Sequence, residues 1–231
     1  MKSLVFDTGP VISLTTNNLL WMLEELKKSF KGEFYLSEAT KRELVDKPLA
    51  TKRFKFEALQ VLENINKGVF KTIGNSILKE KTLELLDFAN NSFKAKDNFI
   101  NICHYAEISN IASCLHLGCD VLVIDERTTR LLIEDPASLK SILQHKLHTA
   151  VTLNKENIDK FRAQTKQIKL IRSVELVTIA YELGLLDKYL ADIKDSRKTL
   201  LDSVLWGVKI NGCAVSEDEI DEIIRIEAKR F

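Results

Sequence analysis

One short apolar run constrains the fold of this chain more than any other feature. Residues 121–124 are all Val, Leu or Ile, with no polar position between them. A strand with this pattern is buried on both faces, which is typical of a parallel sheet. Similar runs occur at residues 4–6, 34–36, 69–73 and 168–171, separated by stretches with helical spacing. The alternation predicts an α/β fold with a central parallel sheet of four to five strands flanked by helices.

The domain organisation follows from where this alternation is interrupted. We interpret residues of about 51–96 and 136–166 as insertions, and the second, more polar one as helical. Two further helices are expected near the end of the chain. The sequence thus predicts one domain over residues 1–187 and a C-terminal helical extension over residues 188–231, packed on the same domain.

The composition is that of a globular protein whose charges almost balance. The chain has 34 Lys and Arg against 33 Asp and Glu, a net charge of +1, which excludes binding of nucleic acid by bulk positive charge. No apolar run approaches the ~18 residues of a membrane span, and an acid at position 7 argues against a signal peptide. The cysteines form no CxxC pair and are expected to be reduced, so the sequence predicts a cytoplasmic protein without membrane contact.

Acidic residues stand where the strands of such a sheet end. Asp7 directly follows the first apolar run, and Asp125 follows the run at 121–124. Ligands collect outside the carboxyl ends of parallel strands, so these two acids are expected to converge. Glu43, in the helix after the second strand, and Glu107, in the first turn of a later helix, can reach the same pocket. Such a cluster repels itself unless it binds a hard cation, and oxygen ligands suit Mg²⁺ or Mn²⁺.

Each of these acids also has an ordinary structural explanation. Asp7 and the pair Asp125 and Glu126 fit the caps of helices. Glu43 and Glu107 fit solvated helix positions. A metal site becomes the better explanation only when the acids are considered together.

The motifs around the acids resemble those of PIN-domain nucleases, the family similar to the PilT N-terminus, in its archaeal-type branch. Residues 7–14, Asp-Thr-Gly-Pro-Val-Ile-Ser-Leu, are similar to the opening motif, and Glu43 stands where the family has its second acid. Residues 107–112 resemble the helix that carries the third acid, and residues 122–127 the strand that carries the fourth. Residues 172–186 resemble the last strand and helix of that branch.

The resemblance implies a PIN-like fold and hydrolysis of RNA phosphodiester bonds by a metal-dependent endoribonuclease. The catalytic and metal-binding residues that it implies are Asp7, Glu43, Glu107 and Asp125, with Glu126 as a further ligand. The residues expected to hydrogen-bond these acids are Thr8, Ser173 and Glu175. The helix dipole is expected to lower the pKa of Glu107. The cofactor is Mg²⁺ or Mn²⁺, and the expected partners are RNA, a second copy of the chain and an inhibitory protein.

Basic residues near the acids are the expected contacts to the phosphates of the substrate. Arg127 and Arg130 closely follow the fourth acid and either clamp a phosphate or pair with neighbouring glutamates. Lys52 and Arg53 alternate with phenylalanines. In that segment either a ring stacks on a base, or the rings are partly buried and the basic face is solvated.

The rival hypothesis is a non-catalytic RNA- or protein-binding module that keeps the acids for structure or assembly. Other chemistries fit the sequence less well. Zinc at His145 and His148 lacks a third ligand, and adjacent residues such as Cys103 and His104 point apart on a helix. A haloacid-dehalogenase-like phosphatase needs an Asp where Gly9 stands, and no GxGxxG or GK[ST] loop occurs. The complete set of acids favours the ribonuclease.

Overall fold

The centre of the structure is a five-stranded parallel sheet, seen in a computed structural model that describes residues 2–119 and 121–229. Its strands are β1 (Ser3–Phe6), β2 (Glu33–Ser37), β3 (Phe70–Ile73), β6 (Val121–Val123) and β8 (Lys169–Ile171). Their order is β3-β2-β1-β6-β8, so β1 lies in the middle between β2 and β6. The predicted α/β fold with a central parallel sheet is therefore confirmed.

A second sheet contains three short antiparallel strands. They are β4 (Phe93–Ala95), β5 (Asn98–Phe99) and β7 (Val151–Leu153), in the order β5-β4-β7. The structure therefore adds a strand, β7, to the region at 136–166 that the sequence predicts as helical. The strand forms because its backbone pairs with β4, and a run of three residues carries too little periodicity to predict such a distant contact. The other predicted insertion, at 51–96, contains β3, an edge strand of the central sheet.

Helices account for most of the remaining described residues. They are α1 (Thr8–Thr16), α2 (Met22–Phe30), α3 (Glu38–Lys41), α4 (Lys47–Leu49), α5 (Lys55–Asn66), α6 (Ser76–Asn90), α7 (Tyr105–Leu117), α8 (Arg127–Glu134), α9 (Pro136–Leu147), α10 (Lys155–Thr165), α11 (Ser173–Glu182), α12 (Ser196–Ile210) and α13 (Glu217–Glu227). A π-helical turn, Arg42–Asp46, joins α3 to α4, and a 3₁₀ turn, Asp187–Tyr189, follows α11. Across residues 2–119 and 121–229, no helix is long and apolar enough to cross a membrane.

The two faces of the central sheet contribute to two separate apolar cores. Phe6 packs with Phe34 and Phe70, at ring-centre distances of 5.0 and 5.3 Å, in the first core. Val5 and Leu122 belong to the second core, with residues of α6, α7, α9 and α10. Successive residues of a strand point to opposite faces, which explains why Val5 and Phe6 lie in different cores.

The C-terminal helices pack on the first of these cores. Leu201 and Leu205 of α12 are buried in the same apolar cluster as Val11 and Leu14 of α1. The extension therefore covers the helix that begins at the end of β1, where the first candidate acid lies.

Candidate active site

Asp7 lies at the carboxyl end of β1, at the start of α1. Its backbone N–H donates to the Val123 carbonyl oxygen at 2.9 Å, which links it to β6. Its side chain is only 4% exposed. Asn110 Nδ2 donates to Asp7 Oδ1 at 2.8 Å, and the Gly9 N–H approaches Oδ2 at 3.5 Å. The strand end thus holds Asp7 in a buried position, with neutral donors as its hydrogen-bond partners.

The charge state of Asp7 depends on its burial and on two neighbouring acids. Burial and the repulsion by Glu107 and then Glu43 raise the pKa of Asp7 to about 7, although the N–H groups of Thr8 and Gly9 oppose the shift. Hydrogen bonds link the same region: Thr8, next to Asp7, donates to Glu43, and Asn110, one turn after Glu107 on α7, donates to Asp7. Three of the predicted acids therefore belong to one part of the structure.

Glu43 reaches this cluster from the π-helical turn between α3 and α4. Thr8 Oγ1 donates to Glu43 Oε2 at 2.9 Å, and Lys47 Nζ lies 3.6 Å from Glu43 Oε1. Within the turn, the Lys47 N–H donates to the carbonyl oxygen of Arg42, five residues earlier, and Pro48 follows without an N–H to donate. The predicted hydrogen bond from Thr8 to an acid is therefore present.

Glu107 lies in the first turn of α7 and accepts hydrogen bonds with Oε2 from the His104 N–H at 3.0 Å and from Thr129 Oγ1 at 3.1 Å. Burial raises the pKa of Glu107, and the charge of Glu126 adds to the increase, although the His104 N–H and the Thr129 hydroxyl act against it. The sequence predicts a lowered pKa from the helix dipole, and that prediction is wrong. The helix dipole lowers the pKa of Glu107, but the loss of hydration on folding raises it by more.

Glu126 lies one residue beyond Asp125 and begins helix α8. Its Oε2 accepts a hydrogen bond from the Thr129 N–H at 2.6 Å, which is the contact of a helix-capping residue. Because the hydroxyl of Thr129 donates to Glu107, one threonine links the two glutamates.

Asp125 is buried behind the end of β6, and its carboxylate is fully engaged. Ser173 N–H donates to Oδ1 at 2.7 Å, and the hydroxyls of Ser173 and Ser13 donate to Oδ2 at 2.8 and 3.2 Å. A Cβ on Gly9 would lie 3.5 Å from Asp125 Cβ and 3.8 Å from Asp7 Oδ2, so the two aspartates flank this glycine. Asp125 therefore ties α1 and α11 to the end of β6.

Replacing Ser173 by alanine is expected to lower the free energy of unfolding by about 2 kcal/mol, because a buried hydrogen bond to a carboxylate is lost. Urea denaturation measures the change. Ser203→Ala is the matched control, since its hydroxyl bonds a helical carbonyl on an exposed surface, and we expect a change below about 0.5 kcal/mol. Equal effects of the two substitutions would mean that the Ser173 hydroxyl contributes nothing specific to holding Asp125.

The acids at this end of the sheet have few basic partners. Within residues 2–119 and 121–229, no lysine or arginine forms a salt bridge with Asp7, Glu107 or Asp125, and only Glu43 has a lysine near it. In the same ranges, no three His, Cys, Asp or Glu side chains are arranged to hold one metal ion. The oxygen-only donors fit Mg²⁺ or Mn²⁺, but binding by three of them requires at least one carboxylate to rotate away from its present donor.

No family model, curated protein or solved structure matches this chain. The function has to be argued from the residues of the site, and similarity to PIN domains stays a hypothesis that rests on the motifs.

Glu175, which the sequence predicts as a neighbour of the acids, has its carboxylate engaged by Arg172. Its Oε1 accepts from Arg172 Nη2 at 2.6 Å, and Arg172 Nη1 donates to Glu219 of α13 at 2.9 Å. Glu175 also accepts from the Arg172 N–H and closes the first turn of α11. Its contacts therefore join α11 to α13.

Three of the four basic residues predicted to contact substrate are exposed, and Arg130 is partly buried. Arg127 is exposed, and Arg130 Nη1 lies 3.5 Å from the carbonyl oxygen of Ala214. Lys52 and Arg53 are exposed in the turn before α5. Phe54 is 46% exposed and Phe56 is 71% exposed, so one ring of this segment is partly buried and the other is largely exposed.

Asn110 is the functional residue that the sequence reasoning missed. Ser37 Oγ donates to Thr40 Oγ1 at 3.1 Å, Thr40 Oγ1 donates to Asn110 Oδ1 at 2.9 Å, and the Asn110 amide donates to Asp7. This chain of donors fixes the orientation of the amide, so that Asp7 Oδ1 acts as an acceptor. The signal in the sequence is a polar residue within the buried apolar stripe of α7.

Proposed function

We propose that this protein is a PIN-like endoribonuclease that hydrolyses RNA phosphodiester bonds with Mg²⁺ or Mn²⁺. One observation carries the proposal. Asp7 is buried with a pKa of about 7, in the field of Glu107 and Glu43, and lacks a salt bridge to any described lysine or arginine. A carboxyl cluster of this kind is destabilised by its own charge, and a divalent cation removes that cost.

Asp7, Glu43 and Glu107 are the residues that would hold the ion, and Asp125 and Glu126 lie beside them. When bound, the ion supplies charge stabilisation to the phosphate and a water of lowered pKa. The chain orients the ligands through neutral donors, as Thr8 does for Glu43 and Asn110 does for Asp7. Asp7 would have to be deprotonated to hold the ion, because carboxylates bind metals in their deprotonated form.

The alternative is a non-catalytic RNA- or protein-binding module. The observation in its favour is that, in the described ranges, no three potential ligands are arranged around one point. A module of this kind would bind RNA or protein without cleaving RNA, so an activity assay separates the two functions.

We expect the purified protein to cleave a single-stranded oligoribonucleotide in Mn²⁺ or Mg²⁺, and EDTA to lower the rate by about a hundredfold or more. The reason is that the ion supplies several kcal/mol of transition-state stabilisation. End-labelled RNA on a denaturing gel measures the rate, and added Mn²⁺ should restore it. Circular dichroism in EDTA controls for unfolding. Cleavage that survives EDTA, or no cleavage with either ion, would reject the proposal.

Three further proposals concern location and partners. The cysteines, Cys103, Cys114, Cys119 and Cys213, are all buried free thiols, which supports a reducing compartment such as the cytoplasm. A homodimer and an inhibitory protein partner rest on the family resemblance alone.

A further inference from the structure

An open groove of about 800 Å³ lies beside the acid cluster. Its walls are the helical segment from α3 to α4, the loop between β3 and α6 with the start of α6, and the first turn of α7. Glu43 is one of the lining residues, so the groove is continuous with the cluster. Its volume is within the range of about 300–1,000 Å³ that is typical of ligand clefts.

The groove carries three basic side chains, of which one, Lys47, lies 3.6 Å from Glu43 Oε1. Arg42, Lys47 and Lys79 line it, against the acids Glu38 and Glu43. All three bases are exposed, and neither Arg42 nor Lys79 forms a salt bridge with any described residue. In a chain of net charge +1, this is the local basic patch that an anionic partner requires. Binding of a cation at Glu43 would make the groove more positive still.

An exposed aromatic ring stands at the same wall. Tyr105 is the first residue of α7, is 39% exposed, and lines the groove next to the exposed His104. Tyr105 and Glu43 line the same groove, so the ring and this acid border one space. An aromatic ring beside a track of bases is the arrangement by which proteins hold single strands, since bases stack on the ring while the cations contact phosphates.

We propose that this groove binds the single-stranded RNA segment next to the bond that is cut, with Lys79 and Arg42 on its phosphates and Tyr105 stacked on a base. The proposal rests on the proposed ribonuclease function and names its substrate as unpaired RNA. A base has to be unstacked to reach Tyr105, so duplex RNA would not fit. The basic residues that the sequence predicts as substrate contacts are not among the lining residues of the groove, namely Arg127, Arg130, Lys52 and Arg53.

The test measures binding separately from cleavage. All proteins carry Asp7→Asn so that the RNA stays intact, and fluorescence anisotropy of a labelled single-stranded oligoribonucleotide gives Kd at several salt concentrations. Lys79→Ala should reduce the slope of log K against log salt by about 0.7, the loss of one phosphate contact. Tyr105→Ala should raise Kd about tenfold, and Tyr105→Phe should leave it within about twofold because stacking is retained.

Matched controls keep the result specific to the groove. Lys146→Ala removes an exposed lysine from the end of α9, and Phe99→Ala removes an exposed ring from β5. Both should leave Kd unchanged, and duplex RNA of the same sequence should bind more weakly than the single strand. Thermal unfolding of each variant confirms that Tyr105→Ala, at the start of α7, still folds.

The outcomes separate this proposal from the proposed function. Unchanged Kd and salt slope in the groove variants, a loss caused instead by Lys52→Ala or Arg53→Ala, or no RNA binding at all would overturn the groove proposal. In that case metal-dependent cleavage by the unmodified protein would leave the proposed function intact. Binding that depends on Lys79 and Tyr105 without any metal-dependent cleavage would support the groove and reject the nuclease.

Discussion

Replacing Asp7 by asparagine is expected to reduce metal-dependent RNA cleavage by at least about a hundredfold, because a bound ion contributes several kcal/mol to the reaction. Asparagine has the size of aspartate, and its carbonyl oxygen can still accept the hydrogen bond from Asn110. It carries no negative charge, so it is a poor ligand for Mg²⁺ or Mn²⁺. The measurement is kcat/KM on single-stranded RNA at saturating Mn²⁺, with folding confirmed by circular dichroism.

The matched control for this loss is Asp159→Asn. Asp159 is exposed on α10, and its replacement makes the same chemical change without touching the cluster. We expect it to retain full activity. If Asp7→Asn kept more than half of the activity, the cleavage would come from another part of the protein or from a contaminant, even if it required metal.

The same substitution, Asp7→Asn, is expected to stabilise the metal-free protein at about pH 8. The folded-state pKa of Asp7 is raised from 3.8 to about 7, so the folded chain binds this proton more tightly than the unfolded chain. Stability therefore falls as the pH rises from about 4 to about 7, and the loss reaches about 4 kcal/mol at 1.36 kcal/mol per pH unit. Asparagine does not ionise and avoids this loss of stability. The gain is reduced by the weak hydrogen bond from the Gly9 N–H, which the amide group of asparagine would lose.

Urea denaturation in EDTA measures this effect. At about pH 8 the free energy of unfolding of the variant should exceed that of the unmodified protein by up to about 4 kcal/mol. Near pH 4, where folded Asp7 keeps its proton, the two values should match. Acids outside the cluster titrate equally in both proteins, so the difference reports Asp7 together with its coupling to Glu107 and Glu43. Mn²⁺ should then stabilise the unmodified protein more than the variant, since a ligand stabilises the state that binds it. A variant that is less stable at about pH 8 in EDTA would show that folding requires the charge of Asp7.

Local sequence patterns predict the central sheet well and the small sheet poorly. The apolar run at 121–124 and its counterparts indicate strands without help from the rest of the chain, and all lie in the parallel sheet. Strand β7 has three residues, and it exists because β4 offers a partner. Gly118 ends α7 with a φ of 60°, a backbone conformation that glycine adopts without a steric penalty.

Local sequence also predicts some residues of the site and not others, because some of them depend on long-range contacts. Strand ends place Asp7 and Asp125, and Ser173, the first residue of α11, donates to Asp125. Asn110 could not be paired with Asp7 by spacing, because the contact spans 103 residues. The raised pKa of Glu107 has the same origin, since burial is a property of the whole fold. The contact of Glu175 to Arg172 is by contrast local, because the two residues are three positions apart at the start of α11.

The engagement of Asp125 bears on where this protein can be shortened. Ser13, which donates to Asp125, also donates to the carbonyl oxygen of Asn211, and the Ala214 N–H donates to the Asp125 carbonyl oxygen at 3.3 Å. The segment after α12 therefore forms part of the wall behind the candidate ligands. A boundary drawn at residue 187, where the recognisable motifs end, would cut through the hydrogen bonds of the site. The smallest unit with an intact acid cluster has to extend at least through residue 214.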